Sequence, residues 1–145
     1  MLGFNLPTVI ARCKEFADQA AHWSSRARHW ARMALTGVGI VQVEVGTTEM
    51  IVGTENDVFT YYVVNDDLNT VTFYLVSDAI PGTSFQIRNN GFGIVQVQPQ
   101  GNGIINSPGT LILRGHGSVI SLVAIRPEIE GAPAMWDLIG DVNPL

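Results

Sequence analysis

Cysteine, charge and long apolar runs are all scarce in this chain of 145 residues. The one cysteine, Cys13, excludes an intrachain disulfide framework and a multi-cysteine metal site. Charged residues make up 14% of the chain, against about 25% in an ordinary globular protein. Fewer charges leave less surface that must face water, as expected when a chain buries surface against copies of itself. No stretch approaches the roughly 20 apolar residues that span a bilayer. The opening MLGFNLPTVIARCKE has no basic start, and Pro7 breaks its short apolar run, so it does not read as a secretory signal. Synthesis and assembly in a cytoplasm are expected. No strand-to-helix GxGxxG and no GxxxxGK[ST] is present, so no nucleotide cofactor is indicated.

What is present suits one domain, or one domain with an appendage. The apolar fraction is 46%, and fifteen glycines and seven prolines supply many turns. Valine, isoleucine, leucine and aromatics are too plentiful for a disordered chain. The net charge of −5 hides an asymmetry. Residues 1–36 hold five basic groups (Arg12, Lys14, Arg26, Arg28, Arg32) against Glu15 and Asp18, a net of +3. The remainder holds three basic groups against eleven carboxylates, a net of −8. A basic head on an acidic body implies two surfaces with different tasks.

From Leu6 to Leu35 the pattern is helical, with Asn5 placed to cap it, Pro7 in the first turn and Gly37 and Gly39 ending it. Leu6, Cys13, Ala20, Ala27 and Ala34 share one heptad position, and Val9, Phe16, Trp23 and Trp30 share the position three residues on. A strict seven-residue repeat is the mark of a helix supercoiled on another helix. Alternating alanine with a large ring lets helices approach while the ring fills the next gap. The same stripe also fits an amphipathic helix lying on its own β domain. A membrane-surface helix fits less well because the alanines make the apolar face shallow. Five basic residues on one helix are a weak footprint for nucleic acid.

After Gly37 the period falls to two. Strands are expected at 39–45, 58–64, 70–76, 83–89, 93–99, 110–115, 118–126 and 135–140, separated by NDDLN, AIPG, NNG, QGNG, NSPG and GHG turns. Strands every 10–12 residues without helices between them predict an antiparallel sandwich, prism or barrel. GIVQV occurs twice, at 39–43 and 93–97, which hints at an internal duplication. VFTYYVV and TVTFYLV are apolar on both faces, more than a small sandwich needs, so the second faces are expected between subunits.

Catalytic patterns are thin. His22 and His29 flank the helix seam without HExxH spacing, and no GxSxG sets up Ser84, Ser118 or Ser121 as a nucleophile beside Asp78 and His116. His116 lies in a tight GHG turn, read as an exposed loop residue, with a metal on a symmetry axis as the alternative. Asp66-Asp67 reads as a turn pair, and Glu128 with Glu130 as solvated loop charges. If the β part is instead a lectin-like module, Tyr61, Tyr62, Tyr74 or Trp136 would stack on sugars, with Tyr61 and Tyr62 on opposite sheet faces.

The segment from Asp57 to Leu138 resembles a β module of tailed-phage fibre and spike proteins. The resemblance rests on DVFTYYVV, a polar turn, TVTFYLV, GTSFQIRNNGFG, GIVQVQP, GNGIINSPGTLIL, HGSVISLVAI and the late tryptophan of MWDLIGDV. It covers a little over half the chain. It implies a homotrimeric virion structural protein, not an enzyme, with an N-terminal segment attached to a tail, portal or adaptor, or capsid protein. Contact with a host-surface glycan is a further implied partnership; nucleic acid and membrane insertion are not. A capsid decoration protein and a carbohydrate-binding module are the alternatives. The expected organisation is a helix over 1–36 for attachment and oligomerisation, then an antiparallel sandwich or prism over 37–145, intertwined as a trimer. The expected docking residues are Phe16, Trp23, Trp30, Arg26, Arg28 and Arg32, with no cofactor and no metal.

Overall fold

The structure, a computed structural model, describes residues 6–36 and 39–145, with helix side chains described at 10–24 and 27. The chain divides into two units, residues 1–37 and 38–145. The first carries helix α1 (Leu6–Thr36), within a residue of the span that its heptads predict. At about 1.5 Å per residue its 31 residues extend roughly 46 Å. The proposed cap Asn5 and stop Gly37 lie outside the described residues, and Gly39 opens a strand instead of closing the helix.

Among the described residues the second unit holds nine strands. These are β1 (Gly39–Val43), β2 (Glu49–Val52), β3 (Thr60–Val64), β4 (Val71–Leu75), β5 (Ser84–Asn89), β6 (Val95–Pro99), β7 (Ile104–Asn106), β8 (Val119–Arg126) and β9 (Met135–Gly140). Their pairing corrects the antiparallel expectation. β1, β3 and β5 lie parallel in one sheet, and β2, β4 and β6 lie parallel in another. The chain therefore alternates between two sheets and stacks each coil on the one before: Gly39 lies opposite Thr60 and Thr60 opposite Phe85, while Glu49 lies opposite Thr72 and Thr72 opposite Gln96. This is the logic of a solenoid, in which each coil buries its apolar face on its neighbours. Among the described strands only β5–β8 and β8–β9 pair antiparallel, apart from isolated bridges, and β7 runs parallel beside β9. The sheets are thus mixed, in orders β1-β3-β5-β8-β9-β7 and β2-β4-β6.

β2 and β7 fall in segments without a clear period, and 110–115 forms only isolated bridges, Gln96 to Ile112 and Leu113 to Val142. The two GIVQV segments are not equivalent, since one forms β1 in the large sheet and the other leads into β6 in the small one.

In-register stacking explains the alternation of apolar residues. Tyr62, Ile87 and Ile120 form one inward ladder, Phe73 and Val97 another, and all are buried. Both sheets feed one core in which Tyr62 meets Phe73 and Phe85, and Phe85 meets Trp136 at centroid distances of 5.6 to 6.0 Å. Trp136 is tied down by its indole N–H, which donates to the Val76 carbonyl at 3.2 Å. Tyr62 donates its hydroxyl to Asp57, whose carboxylate also accepts the N–H groups of Gly53 and Thr54 at 2.9 Å. Burial, then the adjacent Asp57, pushes the Tyr62 phenol above its ordinary pKa, so it stays a donor.

The corners carry the polar contacts. Asp66, in the turn after β3, accepts N–H groups from Gly46 of the first coil and from Leu68 and Asn69 of its own, at 2.8 to 3.0 Å. Its backbone oxygen accepts the N–H of Gly93 in the third coil. Beside it, Asn90 donates to Asn65 and Asn65 to Gln42, a ladder of amides running across the same three coils. Gly91 is what lets the coils meet here, because a Cβ at that position would lie 2.3 Å from the Asp66 backbone oxygen.

Two outcomes follow. Gly91→Ala forces that backbone apart and is expected to cost about 3 kcal/mol in urea unfolding. Gly46→Ala meets nothing within 4 Å but has φ of +97°, so about 1 kcal/mol of backbone strain is expected. The second outcome concerns pH. Hydrogen bonds from the Asn69 backbone and side chain, then from Gly46 and Leu68, hold the Asp66 carboxyl well below the usual carboxylate range. A depressed folded-state pKa adds stability that is present above the unfolded value near 3.9 and lost as pH falls below it. Urea midpoints at about pH 6 and pH 3 should differ more for the wild type than for Asp66→Asn.

Candidate functional site

Each expected docking residue has a defined place in α1. Cys13, Phe16, Ala20 and Trp23 follow the heptad and are all exposed, Phe16 at 67% and Trp23 at 63%. The His22 ring meets Trp23 edge-on at a centroid distance of 6.0 Å. The described half of the helix thus presents Phe16 and Trp23 as exposed rings, with Lys14, Glu15 and Asp18 along the surface beside Trp23. The side chains of Arg26, Arg28, Trp30 and Arg32 lie outside those described.

A second apolar surface follows within a few residues in the chain. β1 and β2 are edge strands, and among the described residues no strand pairs with their outer sides. Ile40 is 67% and Ile51 64% exposed, and Val45 is exposed with them. Val41 stands in the same ladder as buried Tyr62 and Ile87 yet remains exposed, because no coil covers it. At the opposite end β8 covers β5, and Val97 and Leu113 make backbone bonds that lay 111–113 along β6, while β7 is the far edge of the large sheet. Soluble proteins usually guard such edges with charge, proline or a bulge; β1 has none of these, while exposed Glu44 follows it and exposed Glu49 opens β2.

The groups considered for catalysis are dispersed or structural. Asp66 is a corner staple, and Asp67 accepts the N–H of Phe92 at 3.0 Å. Glu128 and Glu130 are exposed, as read from the sequence. Ser121 accepts from the Gln86 amide at 3.1 Å on the outer sheet face. Tyr62 and Trp136 are core residues, which removes them as sugar platforms; Tyr61 is only partly buried and so does face the other way. Among the described residues no three His, Cys, Asp or Glu side chains come together in a way that holds a metal, and no helix is long and apolar enough to cross a membrane.

One cleft was not found from sequence. It measures about 290 Å³ and is lined by Arg114, Gly115, His116, Gly117, Ser118 and Asp141. Phe92, 75% exposed, stacks on His116 at 4.7 Å between centroids and 14° between planes. Fully buried Asn89 fixes both turns. Its side chain accepts from Gly91 N–H and donates to the Gly93 oxygen, while its backbone accepts from Gly117 and donates to Ser118. The Ser118 hydroxyl bridges both backbone groups of Gly115, so it is a staple and not a nucleophile. A signal for this cleft did exist: a phenylalanine in the otherwise small and polar turn NNGFG has no local reason to be apolar.

Placing charge on the first coil separates folding from association. Ile40→Lys with Ile51→Lys is expected to leave the urea midpoint within about 0.5 kcal/mol. If copies of the chain associate through the first coil, that association, read by sedimentation equilibrium, weakens about tenfold or more, ~1.4 kcal/mol. Unchanged association would exclude the first coil as a contact. Comparisons with protein-family models, curated proteins and solved structures find no match for this chain.

Proposed function

We propose that this chain is a virion structural protein, a short homotrimeric fibre or spike. Three copies associate through the heptad ridge of α1 and through the first coil of the β unit, and the helix docks on another virion protein. The β unit projects from the particle. The observation that carries this reading is the placement of exposed apolar surface. Ile10, Phe16 and Trp23 are exposed on the helix, and Ile40, Val41, Val45 and Ile51 are exposed on the first coil, whose strands β1 and β2 are sheet edges. Association is the physical outlet for such a surface, since burying each large side chain gains about 1.5–3 kcal/mol. The basic character of residues 1–36 favours an acidic docking partner. The scarcity of charge and the stacked coils are in keeping with a scaffold, and the dispersed acid–base groups supply no reaction.

Trp23→Ala with Trp30→Ala tests the docking. Each interface tryptophan is expected to cost ~2 kcal/mol or more on truncation. The double variant should keep the β-sheet circular dichroism of the wild type and be missing from purified particles by immunoblot. Normal incorporation would overturn the assignment of the helix as the attachment segment.

A further inference from the structure

The geometry points to a binding site for one neutral sugar ring in the cleft lined by the 114–118 turn and Asp141. The ring would lie against His116, which Phe92 backs by stacking on it, with its hydroxyls held by Arg114 and Asp141. This site belongs to the β unit alone and does not rest on the trimeric reading.

Rigidity is the first reason. An exposed phenylalanine on a mobile loop would be unremarkable, but Phe92 is fixed from three directions. Its own N–H donates to Asp67 at 3.0 Å. Gly91 and Gly93 press so closely on the preceding coil that a Cβ at either would lie 2.3 or 2.5 Å from a backbone oxygen. Asn89, with no exposed surface, ties this turn to the Gly117–Ser118 turn at 2.7 to 3.1 Å. Holding an apolar ring in water gains nothing for folding, and a partner that meets it there binds without the cost of ordering a loop. Coil stacking alone requires the asparagine and the glycines of this turn, not the phenylalanine.

The chemistry of the lining is the second reason. Arg114 offers planar donors and Asp141 an acceptor, and the two opposite charges leave the cleft without strong preference for an anion or a cation. Paired donors and acceptors beside a flat aromatic surface match a pyranose, which has hydroxyls on its rim and C–H groups on its face. A cleft of about 290 Å³ is at the small end of ligand sites, enough for a single ring. His116, backed by Phe92, is held as part of the platform.

The test is an array of oligosaccharides ending in neutral hexoses, N-acetylhexosamines or sialic acid, probed with the full chain. Wild type is expected to bind a subset with neutral termini. Phe92→Ala and Arg114→Ala should each lower that binding about tenfold or more while leaving the urea midpoint unchanged. Ile129→Ala, which removes an exposed apolar side chain from a separate loop, should bind as wild type does. A blank array, retention of sialylated glycans alone, or undiminished binding by Phe92→Ala overturns the proposal. If the array is blank and Phe92→Ala lowers the solution mass, the pair is a contact between subunits instead.

Discussion

The carboxylate and carbonyl of Asp66 join three successive coils, and much of the β unit depends on that corner. Gly46 reaches it from the first coil, Leu68 and Asn69 from the second, and Gly93 from the third. Parallel strands cannot be joined by a two-residue hairpin, so their register must be set by something other than a tight turn. Here buried side chains set it on the inside and Asp66, with the Gln42–Asn65–Asn90 ladder, sets it at the corner. The same constraint reaches the functional surfaces. It seats Gly91 and Gly93, and through them it places Phe92 beside His116.

Stacked coils leave edges that need covering, and among the described residues β1, β2 and β7 are edge strands. The switch to antiparallel pairing at β8 terminates the stack over β5, and the 111–113 segment does the same for β6. The first coil has no equivalent, and Val41 and Ile51 remain exposed on it. Evenly stacked apolar ladders favour further stacking, so an uncovered end is a surface on which something is added. The helix carries its own exposed ridge, and the two follow one another in sequence. On the proposed reading, association accounts for both with one kind of contact.

The strands were largely legible because alternation and turn residues are local signals, and most expected segments lie within two residues of the observed strands. The helix was legible for the same reason, from a seven-residue repeat. The sheet pairing was not, since strands spaced by 10–12 residues look alike whether they pair with the next strand or with the one after it. EMIV was missed because four residues with a leading glutamate carry little period. TLILRG was overread, because its apolar run serves a covering segment held by bridges. Asp66 passed as an ordinary turn residue since its partners lie up to 27 positions away, from Asp66 to Gly93. Tyr62 and Trp136 stood as sugar platforms in the lectin-like alternative because sequence does not reveal which face of a strand another coil will cover. The Phe92–His116 cleft depends on two turns far apart in sequence, and only the fold brings them together.

The most direct measurement is the solution mass of residues 1–145 by light scattering, across a range of concentrations and beside a chain starting at Gly37. The account predicts three times the 15.7 kDa of one chain for residues 1–145, and weaker association without the helix. A full-length chain that stays at 15.7 kDa at every concentration would contradict it, because the exposed ridge and the open coil would then have no partner in another copy.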